Sequence, residues 1–210
     1  MTKELRVHRG AMTLRAAGEG ANSPGTVEGY AALFNSKSFD LGGFVEIIAP
    51  GAFAESLRND AENIMALWNH EDESPLGRLG VNLALREDDK GLFASLDLPN
   101  TSAARDAAEL VGGNIVQGWS FGFSCTYDDC DWAYDEAAGV TLRTLKKVRL
   151  YEVSPVTFPA YPETKIGLRH VQQFQQFRAG AAPSANRADA QRAAMTRRLM
   201  SARLAAVPGA

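Results

Sequence analysis

The chain has 210 residues, 45% of them hydrophobic and 22% charged, with a formal net charge of −3. That supports one domain of ordinary size with its own core, or such a domain and a tail, and excludes collagen, a long coiled coil and a wholly disordered chain. No apolar run reaches the length of a membrane span, since even FVEIIAPGAF is broken by Glu46 and Pro50. The charged start MTKELRVHRGAMTLRAAGEG lacks the apolar segment of a secretory signal, so the expectation is a soluble, cytoplasmic protein.

Charge is unevenly placed. Residues 170–210 hold six arginines, no lysine and one acid, which makes that stretch +5 and leaves −8 for residues 1–169. The two cysteines, Cys125 and Cys130, supply at most half a structural zinc site and no disulfide framework, and read as reduced residues on or near a strand.

In chain order, residues 1–25 end in GEGANSPG and read as a flexible leader. Val27 to Phe34 reads as the first strand. Pro50-Gly51 opens a short helical stretch over Ala52 to Leu57, closed at Asn59-Asp60. Asn63 to Trp68 is an apolar strand that runs into Asn69-His70. Val81–Arg86 and Leu92–Leu98 alternate with period two and are joined by EDDKG as a hairpin. A helix follows, capped by Thr101 or Ser102, with Ala103, Ala107, Leu110 and Val111 as its apolar stripe and Gly112-Gly113 as its stop. Ile115 to Cys125 is glycine-rich and aromatic and leads into a long hairpin. Thr141–Leu145 and Val148–Val153 are further strands. Many short strands with one or two helices predict an α+β domain of barrel or sandwich type over residues 26–165. Residues 166–210 read as a linker and a basic Ala/Arg-rich tail, helical or disordered, with Met195, Leu199, Ala202 and Ala206 on one helical face.

The chain has no GxxxxGK[ST], no GxGxxG after a strand and no HExxH. Of its three histidines, only His70 lies inside the domain, where a strand gives way to a loop. The acids after it, Glu71, Asp72 and Glu73, read as a solvated acidic loop, with metal binding a minor alternative. Ser120 stands in GWSFGFS, which is not a GxSxG elbow because Trp119 and Phe121 flank it. A serine nucleophile needs a base, and His70 is the one internal candidate; on spacing alone a glycine-rich strand of buried aromatics is the better reading. Glu152, between an apolar strand and Ser154-Pro155, needs a partner: a histidine ring, or Arg78, Arg143 or Arg149 in a structural salt bridge. The residues alone reach a Ser–His–acid hydrolase and leave these alternatives open.

Six blocks take the reading further: GYAALFNSKS, DLGGFVEIIAPGAF, ALWNHEDESPLGR, GLFASLDLPNTSAARDAAEL, VQGWSFGFS and LYEVSPVTFPAYPET. Together they resemble the prohead (capsid maturation) proteases of tailed bacteriophages of the HK97 type and related prophage-like elements. The resemblance implies a serine endopeptidase with a fold like the herpesvirus assembly proteases, a mainly antiparallel β-barrel with a few surrounding helices. It implies His70 as general base, Ser120 as nucleophile and, since no histidine follows the serine within the domain, Glu152 as third member. Asp128 and Asp131 stay open as alternatives to Glu152. No metal and no cofactor are implied.

The implied substrates are the major capsid protein, the internal scaffold and the chain itself by autoproteolysis, within the immature procapsid in the host cytoplasm. A homo-oligomer is compatible with this. The basic tail could then tether the enzyme to an acidic scaffold or coat segment. Competing readings are a non-catalytic assembly module of the same fold and a nucleic-acid-binding protein acting through the arginine tail. The acidic body argues against the latter.

Overall fold

The computed structural model describes residues 3–8, 12–18, 20 and 22–157. These lie within Met1–Gly167, the first of two units into which the chain divides. The expected linker and basic tail at 166–210 lie outside the described residues.

The described residues form three ladders. The first runs, in spatial order, β1 (Glu4–His8), β9 (Gly118–Ser124), β12 (Arg149–Val156), β5 (Met65–Trp68) and β6 (Glu71–Arg78). The second is β2 (Met12–Ala16), β3 (Gly25–Leu33), β8 (Gly91–Asp97) and β7 (Leu83–Glu87). The third is β10 (Cys130–Asp135), β11 (Val140–Leu145) and β4 (Phe44–Ile48). Two α-helices complete the set, α1 (Ala54–Asn59) and α2 (Ser102–Gly112). This is an α+β domain, mostly strand.

Three expectations need correction. The strands do not close into one barrel among the described residues, and β11–β4 and β12–β5 pair in parallel within otherwise antiparallel ladders. The stretch read as a flexible leader carries β1 and β2, and β1 pairs along the whole of β9 from Glu4↔Phe123 to His8↔Trp119. The acidic run after His70, read as a loop, is the start of β6. That strand is the outer member of its sheet, where charged residues discourage edge-to-edge pairing.

Local rules account for the elements that were expected. Thr101 caps α2, its hydroxyl oxygen accepting from the Ala104 N–H at 3.2 Å, and the helix buries Ala104, Ala107, Ala108 and Val111. The β7–β8 hairpin is turned by Asp88, whose carboxylate accepts from the N–H groups of Lys90 and Gly91. β9 is buried along its whole length. Trp119, Phe121 and Phe123 enter the core, where Phe53 meets Phe121 edge-on at 5.4 Å and Phe121 lies 5.2 Å from Phe123. Burial of each such ring stabilises the fold by about 1.5–3 kcal/mol. The alternate residues Ser120, Gly122 and Ser124 face the other way, so a strand of core aromatics presents a row of small residues on its second face.

A buried ionic cluster ties the first and third sheets together. Arg143 of β11, fully buried, donates to Glu4 of β1 at 3.1 Å and to Glu46 of β4 at 3.0 Å. Arg6 of β1 grips the same Glu46 through two nitrogens, at 2.7 and 3.0 Å. Arg143 also donates to the Cys125 sulfur at 2.7 Å. Cys125 and Cys130 are free thiols with their sulfurs 3.4 Å apart. The hydrogen bond with Cys130, then burial, pushes the Cys125 thiol up and leaves it protonated.

Candidate active site

His70 sits in the two-residue link between β5 and β6, where Trp68 pairs with Glu71. Asn69 and His70 have φ of 51° and 66°. Positive φ at both central residues is the requirement of a type I′ hairpin, whose twist matches its flanking strands. Asn tolerates this conformation, while a histidine in it is strained by about 1–2 kcal/mol. The turn is pinned by the Asn69 N–H donating to the Pro155 carbonyl at 3.1 Å and by the Thr157 N–H donating to Asn69 Oδ1 at 2.8 Å. The histidine is therefore anchored to β12.

Glu152 reaches the same place through a bulge. Leu150 of β12 pairs with Phe123 of β9, but the next pairing is Glu152 with Gly122, which leaves Tyr151 as an extra residue. Without that bulge, with Tyr151 paired to Gly122 in strict register, Glu152 would stand opposite Phe121 and point into the core. With it, Glu152 shares the face of Gly122 and Ser120, while Leu150 and Val153 both stay buried on the other side. Gly122 makes room: a Cβ there would collide with the Glu152 carboxylate and the Lys3 side chain. Ser154, two residues along β12, lies directly opposite Ser120.

The Glu152 carboxylate is 1% exposed as a residue and fully partnered. Its Oε1 lies 2.7 Å from His70 Nδ1 and 3.3 Å from Lys3 Nζ, and its Oε2 accepts the Ser154 hydroxyl at 2.7 Å. Burial pushes this carboxyl up, but the His70 hydrogen bond and charge, the Ser154 hydroxyl and Lys3 together outweigh it and hold it below the usual carboxylate range. An ionised carboxylate only accepts, so Nδ1 of His70 carries a proton in this contact.

Ser120 is fully buried, and its hydroxyl donates to the Arg6 carbonyl of β1 at 2.8 Å. Ser120, Glu152 and the His70 turn thus belong to the consecutive strands β9, β12 and β5, with β1 on the far side of the serine. A cavity of about 300 Å³ opens beside Glu152, lined by Lys3, Asn63, Met65, Leu67, Asp72, Tyr151 and Glu152. A larger cleft of about 650 Å³ shares Met65 with it and runs along Pro75, Leu76 and Arg78.

The other candidates lie elsewhere. Arg143 serves Glu4 and Glu46, and Arg149 lies 3.5 Å from Asp60. Asp131, itself exposed, pairs with Lys146 just beyond β11, and Asp128 is exposed before β10. No three His, Cys, Asp or Glu side chains among the described residues gather as metal ligands. No described helix is long and apolar enough to cross a membrane. Sequence reasoning missed Lys3, Gly122, Ser154 and the β1 carbonyl. The signal for the bulge was present: Leu150 and Val153 are both apolar at a spacing that strict alternation forbids.

A half-buried histidine thus meets a buried carboxylate on the strand next to that of a buried serine, and comparison with known proteins supplies the family. Residues 11–177 match the family described as caudovirus prohead serine protease, and the chain belongs to that family. It is 35% identical over 150 residues to the prohead protease of Enterobacteria phage HK97, covering 70% of this chain and 61% of that protein. The chain thus spans about three fifths of the length of that curated relative. The bacteriophage T4 capsid assembly protease is a structural neighbour at a TM-score of 0.48 and 8% identity, over 73% of this chain and 96% of that one.

Proposed function

We propose that this chain is a serine endopeptidase that cuts coat and scaffold proteins inside the immature phage capsid, with Ser120 as nucleophile, His70 as general base and Glu152 as the group that orients His70. The observation that carries this reading is the 2.7 Å contact between His70 Nδ1 and the buried Glu152, which lies on β12, the strand next to that of Ser120.

In the proposed reaction the Ser120 hydroxyl turns from the Arg6 carbonyl to Nε2 of His70, which takes its proton as Oγ attacks the scissile carbonyl. Collapse of the tetrahedral intermediate expels the amine, which takes the proton back from His70. Water then repeats the sequence on the acyl-enzyme and releases the acid. Glu152 keeps Nδ1 protonated and stabilises the imidazolium that forms. The cavity beside Glu152 and the cleft along Pro75–Arg78 offer room for substrate side chains. The family suggests the major capsid protein, the scaffold and the chain itself as substrates, with the basic tail as a tether.

Intact mass over time, for the purified chain and for Ser120→Ala with the capsid protein of the same phage, tests this. The wild type is expected to yield discrete fragments, and Ser120→Ala to lose at least about a thousandfold in rate. Fragments from both chains alike sink the assignment of Ser120. Two intact mixtures in which the proteins bind would favour the non-catalytic assembly module.

A further inference from the structure

We propose that Ser154 is a positioning residue for catalysis, acting through Glu152: its hydroxyl fixes the second carboxylate oxygen so that the first faces His70. The inference rests on the proposed triad and extends it by one residue that the triad does not contain.

Three observations carry it. The first is the division of labour on the carboxylate. Oε1 is held by His70 at 2.7 Å and by Lys3 at 3.3 Å, whereas among the described residues the partner of Oε2 is the Ser154 hydroxyl at 2.7 Å. A buried carboxylate oxygen left without a donor is costly, and the head group is free to turn about its last bond to find one. Lys3 is the other cation at hand. Its side chain is 36% exposed, so it can follow the carboxylate wherever it turns and does not define one orientation. Asp72, the remaining charged group lining the cavity beside Glu152, cannot donate when ionised.

The second observation is that the backbone of Ser154 is held in place. The residue is fully buried, its neighbour is Pro155, and it pairs with Ser120 in the β12–β9 register. Backbone pairing therefore sets where its Cβ stands, and from there the hydroxyl reaches Oε2 at 2.7 Å. The third is that His70 is rigid from the other side, its strained turn pinned to Pro155 and Thr157. A fixed ring needs a fixed carboxylate, because a hydrogen bond of 2.7 Å tolerates little rotation at either end. Ser154 supplies that fixity from the same strand that carries Glu152.

A double-mutant cycle on the peptide that spans the scissile bond tests the idea, using the full chain and its Ser154→Ala, Ser154→Cys, Glu152→Gln and doubly substituted variants. Cys keeps the volume of the site without a strong donor, so it separates the lost hydrogen bond from lost packing. Both single changes at Ser154 are expected to lower kcat about tenfold with KM within about twofold, since the hydroxyl is placed to touch the acid and not the substrate. In the Glu152→Gln background the same changes are expected to cost less than about twofold, because no carboxylate is left for Ser154 to aim at His70. Equal losses in both backgrounds, or no loss in either, overturn the inference while the triad stands. Unchanged activity of Ser120→Ala or Glu152→Gln overturns the triad first, and the inference with it.

Discussion

Two groups of buried carboxylates occupy this small domain, and they differ in the company they keep. Glu46 and Glu4 are held by Arg143 and Arg6, two permanent cations, and the cluster joins β1, β4 and β11. Glu152 is held by a titratable ring, a hydroxyl and one half-exposed lysine. Burial raises the stakes of charge equally in both places. A guanidinium cannot give up its proton, so the first cluster only fastens strands; an imidazole can, so the second can hand a proton on. The partner, more than the burial, separates a structural carboxylate from one suited to catalysis.

The contrast is sharpest if each group is broken in turn. Arg143→Ala takes one of two guanidinium partners from two buried carboxylates and is expected to destabilise the chain by about 3–5 kcal/mol. Glu152→Gln keeps shape and hydrogen-bonding capacity, and is expected to cost at least about a hundredfold in kcat while the melting temperature moves only a few degrees. Thermal denaturation alongside a cleavage assay reads both, and a reversal of the two patterns would undo the distinction.

A smaller effect tests the space around Glu152. A methyl at position 122 meets the carboxylate, so Gly122→Ala is expected to lower kcat about tenfold by pushing Glu152 off His70. Activity at the wild-type level would mean that the carboxylate has room to spare.

The smallest effect is in stability against pH. The Glu152 carboxyl is held below its ordinary value, so its contribution is complete above the usual glutamate pKa of about 4.3 and is lost as pH falls through the lowered one. The melting gap between wild type and Glu152→Gln should therefore shrink on acidification. A gap that is constant from about pH 7 to about pH 3 would show that Glu152 gains nothing from its partners on folding.

Much of this was legible in the sequence because it is local. The Thr101 cap, the alternation in GLFASLD and the turn at Asp88 each follow from a few neighbouring residues, and they appear where those residues place them. Strands β1, β2, β4 and β6 were not legible. β1 is short and charged, and it becomes a strand only because β9 offers an edge and Arg143 offers a cation for Glu4. β6 begins with three acids and is a strand because β5 pairs with it.

The sequence by itself determined the residue types of the candidate site, a histidine after an apolar strand, a serine among aromatics and an acid within another strand. It also carried the blocks that mark the family. Only the tertiary structure decided which acid meets the histidine. His70 and Glu152 are 82 positions apart, and their contact depends on a parallel pairing of β5 with β12 and on one bulged residue, Tyr151. A strand's alternation is a property of the chain, but the face on which a residue ends up is set by its partner strand, and a single extra residue reverses it.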